Sequence, residues 1–586
     1  MKTSWDLSAL YNGFEDITLE EDYITLEQTI CDFSEWTTKP LSTTTDIQKN
    51  LRIYIKYKTI IETLTAKIYG FVQLSLAVDV TDQRATVAQG RIRQILMEAC
   101  EPVVLFIAWL GKLEQVVTLV QGDAILEEHT FYFEELQNSA KYLLSVEEET
   151  LLAKMKLTGS KAWEDLQGIV LSTLLVDYEG QSKPISEIRN LAYSSKAEIR
   201  KKAYEAELAA YPKIEYSMSG ALNAIKGETN TIATEHGYKS ALDQTLVQSR
   251  MDEKTLEVLL EAMVESLPKF QEYYEQKAKI LGHENGLPFY DLFAPIGSAK
   301  LEYTYAEASK LIIDQFATFS EELSEMAKTA FNDGWIDVMP KTGKVGGAFC
   351  HNLHPIKQSR ILVNFDGSFG NVKTLAHELG HAFHGQCLQE VSILNSEYTM
   401  PIAETASIFC ETILKKAVLK SATKEEKLSL LEVDLQGSAQ VIVDIYSRFL
   451  FEDNLLKTRK NKQLGVEELK TTMLAAQKQA YGKGLDWNAL HPYMWINKPH
   501  YYSGTLSYYN FPYAYGLLFA YGIYAKYKKA GPEFVQIYRN LLTATGQYTL
   551  YDIAQLLEID LHDINFWRMS FSIIYEDIEE FIQISS

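Results

Sequence analysis

His377 and His381 stand four residues apart, with Glu378 directly after the first, in the run Leu375-Ala376-His377-Glu378-Leu379-Gly380-His381. On a helix, positions i and i+4 share a face roughly 6 Å apart, so both imidazoles can reach one metal ion. Glu378 follows about 100° round the helix. That places its carboxylate beside such an ion rather than on it, where a base acting on water belongs. A catalytic zinc site takes three protein ligands and keeps a fourth position open. Two histidines and a base therefore call for one more ligand downstream.

A third histidine six residues after His381, with a glycine between, is excluded: position 384 is His and position 387 is Cys. The remaining common choice is a glutamate on a following helix, with Glu390, Glu397, Glu404 and Glu411 as candidates. Glu390 falls near the end of the first helix, and Pro401 leaves Glu397 outside the second. Glu404 then lies in an early turn and is assigned as the ligand. Glu411, seven residues on along the same stripe, is placed to accept a ring N–H from a ligating histidine. His384 is seven residues from His377 but roughly 10 Å further along the axis, which suits a packed, hydrogen-bonded neighbour of the site better than a ligand. His351 and His354 flank a strand turn and are open to a substrate-contact or a turn role. The implied cofactor is one Zn²⁺ per chain.

These residues need elements to hold them. Ser368 can cap a helix running to about Gln389, with Val372, Leu375, Ala376, Leu379 and Phe383 on its buried side. Pro401 in a first turn, capped by Thr399 or Met400, begins the second helix. Upstream, Gly343 to Cys350 and Ser359 to Phe365 are short, partly β-branched runs bounded by turn residues. They predict a small antiparallel sheet closed by Asp366-Gly367. Gly346, Gly347 and Ala348 leave the first strand with little side-chain cover, so it is either an edge that an extended peptide can join or a plain hairpin corner.

Outside this region the chain reads as helical scaffold. Periodicity dominates from about Asp46 to Gln276, Ser145 caps a helix with acids in its first turn, and only 14 prolines and 31 glycines interrupt 586 residues. That length exceeds one compact core. A formal charge of −22 argues against nucleic acid or an anionic membrane as partner. The five cysteines form no C-x-x-C pair, the N-terminus lacks an apolar core, and no apolar run reaches a membrane span. A reducing, cytoplasmic location is the expectation.

With His377 to His384 and Ile402-Ala403-Glu404-Thr405-Ala406-Ser407, the chain resembles the M3 family of zinc oligopeptidases, in its oligoendopeptidase F branch. Ser4 to Tyr11, Leu144 to Leu166, and Arg200 to Ala221 extend the likeness over nearly the whole sequence. The resemblance implies a mainly α, two-lobed peptidase with a deep central channel and the small sheet beside the zinc helices. It implies an N-terminal helical region (1–110), an accessory helical domain (111–190) and a catalytic domain (191–586). The expected activity is hydrolysis of internal bonds in short unstructured peptides. A carboxydipeptidase and a non-catalytic peptide-binding protein are the alternatives. It also implies that the edge at Gly346, Gly347 and Ala348 pairs with substrate. In Pro499 to Gly516, relatives place a histidine and tyrosines that bond the tetrahedral intermediate; His500 and Tyr513 match in order, and Tyr508 or Tyr509 is the second phenol.

Overall fold

The computed structural model describes residues 1–39, 41, 46–297 and 301–586. Helices predominate, and the chain divides into two compact units, each gathered from three stretches. Unit 1 comprises Met1–Val146, Leu301–Val418 and Lys526–Ile559; unit 2 comprises Glu147–Lys300, Leu419–Ala525 and Asp560–Ser586. Among the described residues no helix is long and apolar enough to cross a membrane.

In unit 1 the N-terminal helices Ile17–Thr38 and Ile47–Val78 share an aromatic-rich core in which the Tyr54 and Phe106 rings stack 3.6 Å apart. Leu353 and Leu394 belong to the same core, tying these helices to the segments around the metal motif. Each such fully buried side chain contributes roughly 1.5–3 kcal/mol.

The sheet of unit 1 has the order Ile336–Asp337, Gln358–Leu362, Phe349–Leu353. Its two longer strands are antiparallel, with Phe349 opposite Leu362 and Leu353 opposite Gln358, while Ile336–Asp337 adds a parallel neighbour. The first long strand begins at Phe349, later than the sequence suggests. Gly347 at φ +79° breaks the extended run, and the Asn364 amide donates to the carbonyls of Val345 and Gly347, both at 3.0 Å. Gly346, Gly347 and Ala348 therefore form a loop leading into the outer strand.

The helix Phe369–Leu388 starts at Ser368, whose hydroxyl accepts from the Asn371 N–H, and all five expected core residues are buried. Asn352 joins sheet to helix: its amide donates to the His381 carbonyl at 3.2 Å while Ser359 donates to its Oδ1 at 2.8 Å. The close approach uses Gly385, where a Cβ would lie 2.3 Å from the Asn352 side chain.

Unit 2 packs long helices, including Glu215–Glu235, Glu253–Ile280, Ile445–Arg459 and Ile564–Ser585. Its interior contains ion pairs, among them Lys226 with Glu452 at 2.7 Å and Lys277 with Glu432.

Candidate metal centre and hydrogen-bonding cluster

The Phe369–Leu388 helix sets His377 and His381 on one face with their Nε2 atoms 3.1 Å apart. Glu404 Oε2 lies 3.3 Å from His377 Nε2 and 3.6 Å from His381 Nε2. Among the described residues these are the one group whose donor atoms converge in this way. Zinc bonds of roughly 2.0–2.2 Å in a tetrahedron separate neighbouring ligand atoms by roughly 3.3–3.6 Å. The triangle therefore fits a zinc ion in both size and donor chemistry.

Glu404 does not sit within a continuous second helix. A short turn, Met400–Ala403, ends on it, and Thr405–Ser421 begins after it. The Ser407 hydroxyl lies 3.0 Å from the Glu404 carbonyl and 2.9 Å from its Oε2. The same contact fixes the carboxylate rotamer.

Behind the triangle, His377 Nδ1 donates to Glu411 Oε1 at 2.5 Å, which leaves the Nε2 lone pair for the ion. Lys373, one turn before His377, pairs with the other Glu411 oxygen at 2.9 Å. Burial would raise the Glu411 carboxyl, but Lys373 and His377 more than offset it and hold it low. Burial likewise disfavours charge on His377, yet Glu411, Glu404 and Glu378 raise it to about 9. His381 moves the other way, lowered by burial and by its neighbour His377.

Glu378 is buried. Burial pushes its carboxyl up to about 7, with His377 opposing and the two other carboxylates adding. His384 is also buried, but its ring stacks on Tyr398 at 4.1 Å and its Nε2 meets Thr545 Oγ1 at 2.8 Å. It makes no hydrogen bond to the triangle. Gly346 and Gly347 are exposed.

A second group of expected residues lies in unit 2. His500, on the turn Pro499–Tyr502, stacks on Tyr509 with ring centroids 4.6 Å apart, and the Tyr509 and Tyr513 hydroxyls are 3.0 Å apart. Burial, then Arg448 and Lys498, keep His500 below the ordinary histidine value. Tyr508 is not brought into this cluster. Its backbone stands at φ +52°, its side chain is buried, and its hydroxyl donates to Asp453 at 3.1 Å.

Lys373, Asn352 and Ser407 were not singled out from the sequence. Lys373 had a signal, being four residues before His377 on the same helical face. Asn352 and Ser407 act through contacts that only the fold creates.

A buried carboxylate beside a His–His–Glu triangle is the arrangement of a metallopeptidase. The sequence matches Peptidase family M3 over residues 190–571 and Oligopeptidase F over residues 113–174. The chain belongs to peptidase family M3, in its oligoendopeptidase F branch. It is 26% identical to the Group B oligopeptidase PepB of Streptococcus agalactiae, over 78% of this chain and 76% of that protein. An oligoendopeptidase F homolog of Lactococcus lactis is 25% identical over 99% of this chain and 96% of that one. The fold is similar to the crystal structure of oligoendopeptidase-F from Enterococcus faecium, with a TM-score of 0.70 and 19% identity over 96% of this chain and 98% of that one.

Proposed function

We propose that this M3 peptidase is a zinc-dependent oligoendopeptidase that cleaves internal bonds of short, unstructured peptides. The observation that carries the reading is the donor triangle of His377, His381 and Glu404, with Glu378 buried beside it and Glu411 holding His377 from behind.

A zinc ion held by those three residues supplies Lewis-acid chemistry, acidifying water and polarising a peptide carbonyl. Glu411 fixes the His377 tautomer and ring orientation, and Lys373 keeps Glu411 ionised. The Glu378 carboxylate takes a proton from the attacking water and passes it to the nitrogen of the departing amine. The ionised form is the one that accepts the proton; burial disfavours it in the metal-free site, and the charge of a bound zinc ion would favour it. His500 and Tyr513 are assigned as hydrogen-bond donors to the substrate oxyanion, with Tyr509 orienting both. This assignment rests on residue order and on the stacked, hydrogen-bonded cluster. One such donor is typically worth about 3 kcal/mol in the transition state.

Phe349–Leu353, as an outer strand, offers its free edge to an extended peptide, with Gly346, Gly347 and Ala348 leading into it. Residues 1–110, 111–190 and 191–586 are proposed as N-terminal, accessory and catalytic regions. The five cysteines carry no disulfide, which suits a reducing cytoplasm.

The test is digestion of a mixed peptide library, including peptides blocked at both ends, with products read by mass spectrometry. Internal cleavage of end-blocked peptides that stops with a chelator and returns with zinc is expected. Release of C-terminal dipeptides alone would indicate a carboxydipeptidase, and no cleavage in zinc would indicate a binding protein.

A further inference from the structure

Unit 2 holds a cavity of about 340 Å³ among the helices Ala197–Ala210, Glu253–Ile280 and Val466–Tyr481. Its volume lies at the lower end of the roughly 300–1,000 Å³ range of small-molecule sites. Much of the wall is aromatic, with Tyr204, Tyr274, Phe289, Tyr290, Phe293 and Tyr481.

The charges around it are matched except for one. Arg200 is bound to Asp291 at 2.7 Å and to the Ser194 carbonyl at 2.7 Å. Arg189 meets Glu207 at 3.2 Å. Asp444 is taken by Arg448 and by the Tyr481 hydroxyl at 3.1 Å. Lys498 also lines the cavity, and among the described residues its ammonium has neither a hydrogen bond nor an ion pair. Burial holds its ammonium down to about 8, with Asp444 opposing and Arg448 and Arg189 adding. His491, another lining residue, is 1% exposed; its Nε2 faces Glu207 at 3.3 Å, but its Nδ1 has no hydrogen-bond partner. A desolvated cation and an unmet polar atom beside an aromatic wall each carry a cost that a suitable ligand would offset.

We propose that this cavity binds a carboxylate carried on an aromatic or apolar body, with Lys498 as its counter-ion, the aromatic wall around the body and His491 as a further polar contact. The ligand is either the C-terminal end of a peptide or a free small acid of the same chemistry. The cavity is lined by residues of unit 2 and by none of the metal ligands, and its test does not depend on catalysis.

The experiment is calorimetric titration of the zinc-loaded protein with N-acetyl-phenylalanine, with its amide, and with N-acetyl-glycyl-phenylalanine. The wild type is expected to bind the acid at least about 10-fold more tightly than the amide, as for a hydrogen-bonded charge. Lys498→Met should abolish that preference while still folding, because it removes an unpaired, desolvated charge. Ala203→Phe, which fills the cavity from its buried wall, should remove binding of both compounds. Binding of the longer acid as tightly as the shorter one assigns the site to peptide ends, and its exclusion assigns it to free acids. Equal binding of acid and amide by the wild type would overturn the proposal, as would no binding. So would an acid preference that survives Lys498→Met and disappears in Glu404→Ala, which would place the carboxylate at the metal centre instead.

Discussion

Gly380 and Ala406 meet backbone to backbone: a Cβ on Gly380 would lie 2.6 Å from the Ala406 carbonyl oxygen and equally close to the Ser407 Cα. The glycine between the two histidines thus sets how near Glu404 can come to them. Gly380→Ala must push the two segments apart, at a cost of about 1–3 kcal/mol. The expected result is a helical, folded protein that retains less zinc at equilibrium with a chelator. Unchanged zinc affinity would show that the close crossing does not position Glu404.

Glu411 acts on the metal through His377. Glu411→Gln should lower zinc affinity about 10- to 100-fold, the usual effect of removing a partner that orients a ligating histidine. Lys373→Met should shift affinity in the same direction by less, since it removes only the ion pair that supports Glu411. Competition with a chromogenic chelator measures both, and wild-type affinity in Glu411→Gln would contradict the geometry.

Two adjacent tyrosines should separate stability from turnover. Tyr508→Phe removes the hydrogen bond to Asp453 and should lower unfolding stability by about 1–3 kcal/mol with kcat nearly unchanged. Tyr509→Phe leaves the ring stacked on His500 but loses the contact to Tyr513, and should lower kcat with little change in stability. Urea midpoints and kcat for the two variants, measured side by side, decide between this assignment and its reverse.

The Lys226–Glu452 pair in unit 2 is almost fully buried. Glu452→Ala strands the lysine and should cost about 3–5 kcal/mol, whereas Lys226→Met with Glu452→Leu should recover most of that loss. Equilibrium unfolding of the single and double variants tests the pair.

Much of the local architecture was legible because it follows from short-range rules. The Ser368 cap, the buried stripe from Val372 to Phe383 and the proline-led turn at Pro401 each depend on residues within a few positions. The M3 relationship was legible from blocks spread over the chain, and its homologues cover the same span. Features set by distant contacts were not legible. The crossing of Gly380 against Ala406, beside Glu404, and the Asn364 contact to Gly347 that precedes the strand start at Phe349 both join residues many positions apart. Tyr508 and Tyr509 are neighbours of one type, and only their partners in the fold, Asp453 for one and His500 and Tyr513 for the other, tell them apart. The Lys498 cavity gave no sequence signal, since its wall comes from segments hundreds of residues apart.

The central claim is that Glu378 moves the proton while His377, His381 and Glu404 hold the metal. Glu378→Gln keeps the shape of the side chain and removes its basicity. Measuring zinc content and peptide turnover on the same preparation tests the claim most directly. The account predicts full zinc occupancy with turnover reduced at least about 1,000-fold, near the effect expected of a general base. Full occupancy with wild-type turnover would contradict it.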